Sequence, residues 1–308
     1  MWESRSFSSD RSWSRVMRSA VGSYIALTKP RIILLVLVTA AAGLAAEGSL
    51  RDRPALAAIT LLAVTLTAGS ANAFNQYFER DLDAQMARTR NRRPLPLRRV
   101  RPGGALAFAI AIGALAGALL FAFGSALSAW LALGTILFYG FFYTLWLKPR
   151  TVHNIVIGGA AGAMGPVIVW AAVTGGLALP PLLMFLAIFL WTPPHFWALA
   201  LCVREDYEAV RIPMLPVVKG APETYRQIEI YTWGLVALTL AMPLLGAGGL
   251  VLAATALVLG VLFLRKAARA RRSESVREAR GVFGYSILYL FVLFVGIIAD
   301  AIWRIPVY

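Results

Sequence analysis

The chain has 308 residues, 59% of them hydrophobic and only 15% charged, with a formal net charge of +15. That is too apolar for a water-soluble domain of this length. The basic residues are bunched at intervals rather than gathered on one soluble patch, which argues against a nucleic-acid partner.

Residues 1–22, beginning "MWESRSFSSDRSWSRVMRS", are rich in Arg and Ser and hold no apolar run. They read as a flexible or interfacial arm, not a cleavable secretory signal. Residues 23–308 read as one membrane domain. Nine apolar runs follow, near 31–47, 55–78, 104–123, 127–147, 153–173, 181–203, 228–246, 248–265 and 282–303. Each has roughly the length that crosses a hydrocarbon core as helix. Backbone groups in lipid must be satisfied within their own segment, so these runs are helices. The alternating pattern of a transmembrane strand barrel is absent from the sequence. The turns "FGSALS" (123–128) and "GAGG" (246–249) make neighbouring helices antiparallel. The expected fold class is an all-α integral membrane bundle of nine transmembrane helices.

Of the 30 Lys and Arg residues, 27 fall on one side of this threading. The positive-inside rule puts that side in the cytoplasm, with the N-terminus inside and the C-terminus outside, periplasmic in a bacterium. Much of the net charge therefore reports topology and contact with anionic headgroups of the lipid bilayer. Cys202 is the only cysteine, so no internal disulfide and no cysteine-based metal cluster can form.

Six of the 15 acidic residues sit in two short stretches at the same ends of the second and sixth spans. The first is "NQYFERDLD", Asn75 to Asp83. On a continuous helix, Asn75, Glu79 and Asp83 lie at i, i+4 and i+8, within an arc of roughly 80°. Asp81 points elsewhere. One face then offers an amide and two carboxylates, donors that suit a hard cation such as Mg²⁺. The basic loop "RTRNRRPLPLRR" follows directly, and arginine recognises phosphate oxygens with its planar fork. Together these suggest a metal–diphosphate site at the membrane surface. The plainer reading, charges that solvate a helix end, remains open at this point. Asn72 and Asn75 weigh against it, because polar groups in an apolar span are costly and are functional or packed against other helices.

The second stretch is "REDYEAVR", which follows "WTPPHFWALALCV". Pro193 and Pro194 are expected to interrupt the sixth span. His195 stands next to them among Trp191, Phe196 and Trp197. His153 reads as an interfacial residue opening the fifth span. The tripeptide "KPR" recurs, at Lys29–Arg31 and Lys148–Arg150, and with the two acid stretches hints at an internal duplication.

These residues resemble the intramembrane (UbiA-type) prenyltransferase superfamily, which carries acidic motifs on even-numbered helices. The match is to its branch of protoheme IX farnesyltransferases, or heme O synthases. It is carried by "YIALTKPRI", "NAFNQYFERDLDAQMARTRNRRPLP", "HNIVIGGAAGAMGPVIVWAAVTG", "PPHFWALAL", "IPMLPVVKG" and "YSILYLFVLF". The resemblance implies a bundle around a central cavity that opens toward the cytoplasm. It implies farnesyl transfer from farnesyl diphosphate to a vinyl group of protoheme, giving heme O. That product serves terminal oxidases directly or through heme A synthase, which are the implied protein partners. Mg²⁺ is the implied cofactor, and heme B is a substrate.

By that resemblance Asn75, Glu79 and Asp83 are metal ligands, and Asp206 is the matching acid of the second motif. Arg88, Arg92 and Lys148 are phosphate clamps, and Lys29, Tyr143 and His195 are further substrate-binding residues. His195 replaces an acid found in other branches, and its role is iron ligand or cavity polar group. Phe78, Trp146, Phe196 and Trp197, with Tyr143, are candidate lining for an allylic cation. Val210-Arg211 stands where the family has small residues and is a departure that bears on closure of the loop after the sixth span. The glycine-rich "IGGAAGAMG" fits close helix packing as readily as substrate passage. A prenyltransferase with a quinone or other aromatic acceptor, and a transporter with an ion pathway, are the alternative functions.

Overall fold

The computed structural model describes residues 19–303. The arm expected over 1–22 falls almost wholly outside the described residues. Every described regular element is helical. Eight helices are long and apolar enough to cross a membrane, so the chain is a multi-pass membrane protein.

In chain order these elements are α1 (Ala20–Leu27), α2 (Pro30–Glu47), α3 (Pro54–Phe78), α4 (Arg80–Gln85), α5 (Ala87–Arg90), α6 (Pro102–Phe123) and α7 (Ala126–Leu137). A π-helix, Phe138–Leu147, continues α7. Then come α8 (Asn154–Ala163), α9 (Gly165–Thr174), α10 (Leu179–Cys202), α11 (Arg204–Ala209), α12 (Gly220–Ala241), α13 (Leu250–Ser273) and α14 (Val276–Trp303). The segment expected as a span over 228–246 is α12, which starts earlier and ends sooner. Its first half carries Glu223, Arg226, Gln227 and Glu229, so it falls outside the eight. α13 and α14 also run past their expected ends, because basic turns extend a helix beyond the hydrocarbon without breaking its bonding.

Local chemistry sets the helix ends. Proline opens α2, α3 and α6, where its missing N–H costs nothing. Gly48, at φ 108°, ends α2 in a left-handed cap. Ser125 and Ser128 form a reciprocal cap at the start of α7. The buried carboxylate of Asp300, near the end of α14, accepts from the N–H groups of Gly249, Val251 and Leu252 and so caps α13 from another helix.

Consecutive helices pack as neighbours, and α14 returns to α2, which closes the ring. The glycine-rich segment serves close packing. A Cβ on Gly158 would lie 2.4 Å from the Tyr143 ring, and one on Gly159 would lie 2.9 Å from Thr192. The expected proline break is not found where the sequence put it. The helix α10 runs unbroken through Pro193 and Pro194, since packing on both sides of the helix tolerates the lost donors. The break falls in the fifth span instead, where Met164 separates α8 from α9 and Pro166 sits in the first turn of the restart.

Candidate active site

The site is built where α3 ends. Helix α3 stops at Phe78, Glu79 is a one-residue cap, and α4 starts at Arg80. The i→i−4 bonds nevertheless continue, from Glu79 N to Asn75 O at 2.9 Å and from Asp83 N to Glu79 O at 2.8 Å. The expected face therefore survives this interruption. Asn75, Glu79 and Asp83 are all buried, whereas the Asp81 side chain is 83% exposed.

Three cations converge on that face. Lys29 Nζ donates to Asn75 Oδ1 at 2.8 Å. Lys148 pairs with Glu79. Arg93 pairs with Asp83 and lies 3.7 Å from Glu79 Oε2. Asn75 Nδ2 also donates to Thr144 Oγ1 at 3.2 Å. Arg93 is the loop arginine that reaches this face, whereas the neighbouring Arg92 is exposed and forms no ion pair among the described residues. The loop has no helical period, so spacing did not single Arg93 out. Thr144 is a hydroxyl four residues before Lys148, but Ser128 and Thr135 share its apolar span, so spacing did not single it out either.

The backbone at two of these positions is special. Lys29 has φ 55°, a left-handed conformation that costs a non-glycine residue about 1 kcal/mol or more. It is held there by α3. Gln76 donates to the carbonyls of Ala26 and Leu27, and Asn72 donates to that of Thr28. These three bonds fix the turn just before Lys29, so the two buried asparagines divide their work. Asn72 braces the turn and Asn75 faces the cations.

The π-helix positions the other wall. In an α-helix Lys148 would lie roughly 180° around from Tyr139. With i→i+5 bonding, roughly 82° per residue, it comes back to within about 20°. Lys148 N donates to Tyr143 O at 2.8 Å, and Thr144 Oγ1 donates to Tyr139 O at 2.7 Å, both across five residues. Tyr139, Tyr143, Thr144 and Lys148 consequently share one face. Tyr143 is buried. Trp146 is not an interior residue, since it is 52% exposed and stacks on Phe142. Phe78 joins Phe74, Tyr77 and Phe141 in a cluster of rings. Phe196 is partly exposed, and Trp197 is buried against Tyr231.

Electrostatics follow from this packing. Burial pushes the Glu79 carboxyl up, but Lys148, Arg93 and Lys29 outweigh it and hold the group below its ordinary value. Burial leaves Asp83 above its ordinary value despite Arg93. Burial, helped by Arg93 and Lys148 and opposed by Glu79, brings the Lys29 ammonium down to about 7.

The second acid stretch has the same local form: α10 ends, Val203 caps it and α11 follows. Asp206, on α11, meets the start of α5. Its carboxylate accepts from the backbone N–H of Ala87 at 3.1 Å and of Arg88 at 3.2 Å. No group of three or more His, Cys, Asp or Glu side chains suited to a metal occurs among the described residues. The oxygen donors that do converge are Asn75, Glu79 and Asp83, a hard set that fits Mg²⁺ completed by water and substrate oxygens. Arg88 is half-buried, and its buried Nε has no hydrogen-bond partner among the described residues.

His195 is held in one orientation. Its ring stacks between Trp191, at 4.3 Å, and Phe283, at 4.7 Å. Its Nδ1 lies 2.8 Å from Ser286 Oγ, and that hydroxyl donates to the carbonyl of Phe283 at 2.7 Å. The hydroxyl has one proton, so Nδ1 is the donor in the pair and Nε2 keeps its lone pair. Trp191 Nε1 donates to Ser286 O at 2.6 Å and closes the unit. His153 is exposed and caps α8.

Comparisons with known proteins identify the family. The UbiA prenyltransferase family model matches residues 36–295. A protoheme IX farnesyltransferase from Gloeobacter violaceus is 47% identical over 93% of this chain and 94% of its own length. One from Symbiobacterium thermophilum is 45% identical over 91% and 94%. Among solved structures, a digeranylgeranylglyceryl phosphate synthase superposes with TM-score 0.76 at 16% identity, covering 92% of this chain and 99% of its own. A UbiA homolog from Archaeoglobus fulgidus bound to GPP and Mg²⁺ superposes with TM-score 0.63 at 18% identity, covering 89% and 99%. The chain belongs to the UbiA prenyltransferase family.

Proposed function

We propose that this chain is a protoheme IX farnesyltransferase, which joins the farnesyl group of farnesyl diphosphate to a vinyl group of protoheme to give heme O. The observation that carries the reading is the convergence of Lys29, Lys148 and Arg93 on the buried face of Asn75, Glu79 and Asp83. The relatives at 47% and 45% identity bear that name.

Ionisation of an allylic diphosphate places negative charge on the departing oxygen. Donors preplaced in a water-poor site stabilise that charge best. Lys29, Lys148 and Arg93 are such donors, and Arg88 Nε is a further unpaired one. Asn75, Glu79 and Asp83 would hold Mg²⁺, which when bound neutralises phosphate oxygens as a Lewis acid. Asp206 acts through the backbone of Ala87 and Arg88, keeping the basic loop against the site. Tyr143 and its neighbours exclude water from the farnesyl cation. The vinyl π electrons form the new carbon–carbon bond. The resulting cation beside the porphyrin ring takes up water and loses a proton, and diphosphate leaves. His195, with Nε2 unprotonated, is the iron ligand that orients the heme.

In this reading residues 23–308 form the membrane domain, and α12 joins the eight apolar helices as a further crossing, the seventh of nine in chain order. A cavity between the helices receives both substrates from the cytoplasmic side of a bacterial inner membrane. The asymmetry of basic residues supports that orientation. Heme O passes on to a terminal oxidase or a heme A synthase.

The test is direct. Purified protein is given protoheme, farnesyl diphosphate and Mg²⁺, and the heme is weighed by mass spectrometry. A farnesylated, hydrated heme is expected. Asp83→Asn should lower its formation by about 100-fold or more. Absence of product from membranes that contain folded protein, or a product formed only with a quinone, overturns the reading.

A further inference from the structure

A groove between α12 and α13 shares no residue with the site above. It encloses about 580 Å³ and is lined by Trp233, Leu264, Arg265, Ala268, Arg269 and Arg272, among others. The three arginines stand at i, i+4 and i+7, on one face of α13. None of them forms an ion pair among the described residues, since the nearby Glu229 is engaged by Arg271 at 2.6 Å. Three positive charges thus face one groove without a carboxylate.

The position of the groove narrows what can neutralise them. The apolar run of α13 stops at Leu264, so Arg265 marks the boundary between hydrocarbon and water. Trp233, 59% exposed, lies at the same level, as interfacial tryptophans do. Below Arg265 the same face continues through Leu262, Val261 and Val258, all exposed. A ligand must therefore offer an anion at the top and a long apolar chain beneath it. A water-soluble protein cannot follow that stripe into the bilayer.

We propose that this groove binds an anionic phospholipid. Its phosphodiester sits among Arg265, Arg269 and Arg272, and one acyl chain runs along Leu262, Val261 and Val258. Guanidinium groups suit the task because their planar donors grip phosphate oxygens in pairs. The lipid would also tie α12 to α13 at the membrane surface.

Native mass spectrometry of the full-length protein in detergent micelles tests this. The probes are phosphatidylglycerol, phosphatidylcholine and inorganic phosphate, each titrated separately and then in competition. The wild-type protein should retain phosphatidylglycerol at least tenfold better than phosphatidylcholine, with inorganic phosphate unable to displace it. Arg265→Gln combined with Arg269→Gln should weaken retention about 25-fold, at roughly fivefold per arginine. Arg272→Gln alone, in the exposed last turn, should weaken it about fivefold and covers the case of a double variant that fails to fold. Arg277→Gln, outside the groove, should leave retention unchanged. Equal retention by the groove variants and wild type overturns the proposal. So does equal retention of phosphatidylcholine, or displacement by inorganic phosphate, which would mark a soluble-anion site.

Discussion

Asp206 accepts a hydrogen bond from the backbone N–H of Arg88 at 3.2 Å, tying α11, just after α10, to α5, in the segment that follows α3. The bond crosses 118 residues of chain. It gives the second acid a task distinct from metal ligation. Asp206→Asn should lower kcat/KM about tenfold, the scale expected when an outer-shell partner is lost. The Mg²⁺ concentration for half-maximal activity should stay within about twofold of wild type, because the converging oxygen donors are untouched. A Mg²⁺ titration of both proteins checks this, and a large rise in the Mg²⁺ requirement would restore Asp206 as a ligand.

Lys29 gives the free protein a pH signature. Its ammonium is brought down to about 7 in the folded chain, from an ordinary value near 10.5. Between those values the unfolded state binds the proton and the folded state does not. Stability therefore rises with pH through that window, by up to about 1.4 kcal/mol per unit for one such group. Below pH 7 both states carry the proton and the dependence vanishes. Lys29→Met should flatten the rise. Thermal midpoints at pH 7, 8 and 9, with chelator present, should show wild type gaining on the variant at each step.

Ser286 is the residue that fixes the imidazole of His195. Removing its hydroxyl leaves Nδ1 without its acceptor and frees the choice of tautomer. Ser286→Ala should weaken protoheme binding about tenfold, as measured by titration of the Soret band. His195→Ala should also shift the Soret maximum, because on the proposed function it removes the iron ligand. An unshifted band in His195→Ala would argue against ligation.

Arg211 carries a conformational cost that a glycine would avoid. It has φ 54° and an exposed side chain. Around it the loop closes normally, with Ile212 N bonded to Tyr207 O at 3.0 Å and both side chains buried. The departure at Val210-Arg211 therefore leaves closure intact and strains one residue. Arg211→Gly should stabilise the protein by about 1 kcal/mol. A higher thermal midpoint with unchanged kinetics is the expected readout.

Much of the site was legible because helix geometry is periodic. Asn75, Glu79 and Asp83 shared a face on spacing alone, and the structure buries all three and leaves Asp81 outside. The partners were harder. Arg93 and Arg92 are adjacent in an irregular loop, and only its folded path chooses between them. Lys148 was visible, but its route to Glu79 runs through a π-helix that no apolar period announces. Pro193 and Pro194 looked like a break and are not one, whereas Pro166 sits at a real one. A proline removes a donor in each case, and the surrounding helices decide whether the span bends.

By itself the sequence determined the membrane class, the approximate spans and the acid face of α3, because hydrophobic length and helical period act within single segments. Only the tertiary structure decided which cations meet that face, which of Asn72 and Asn75 turns toward them, and which nitrogen of His195 is left free. Most of those outcomes depend on contacts between residues 44 to 91 apart in the chain, and no local pattern carries that information.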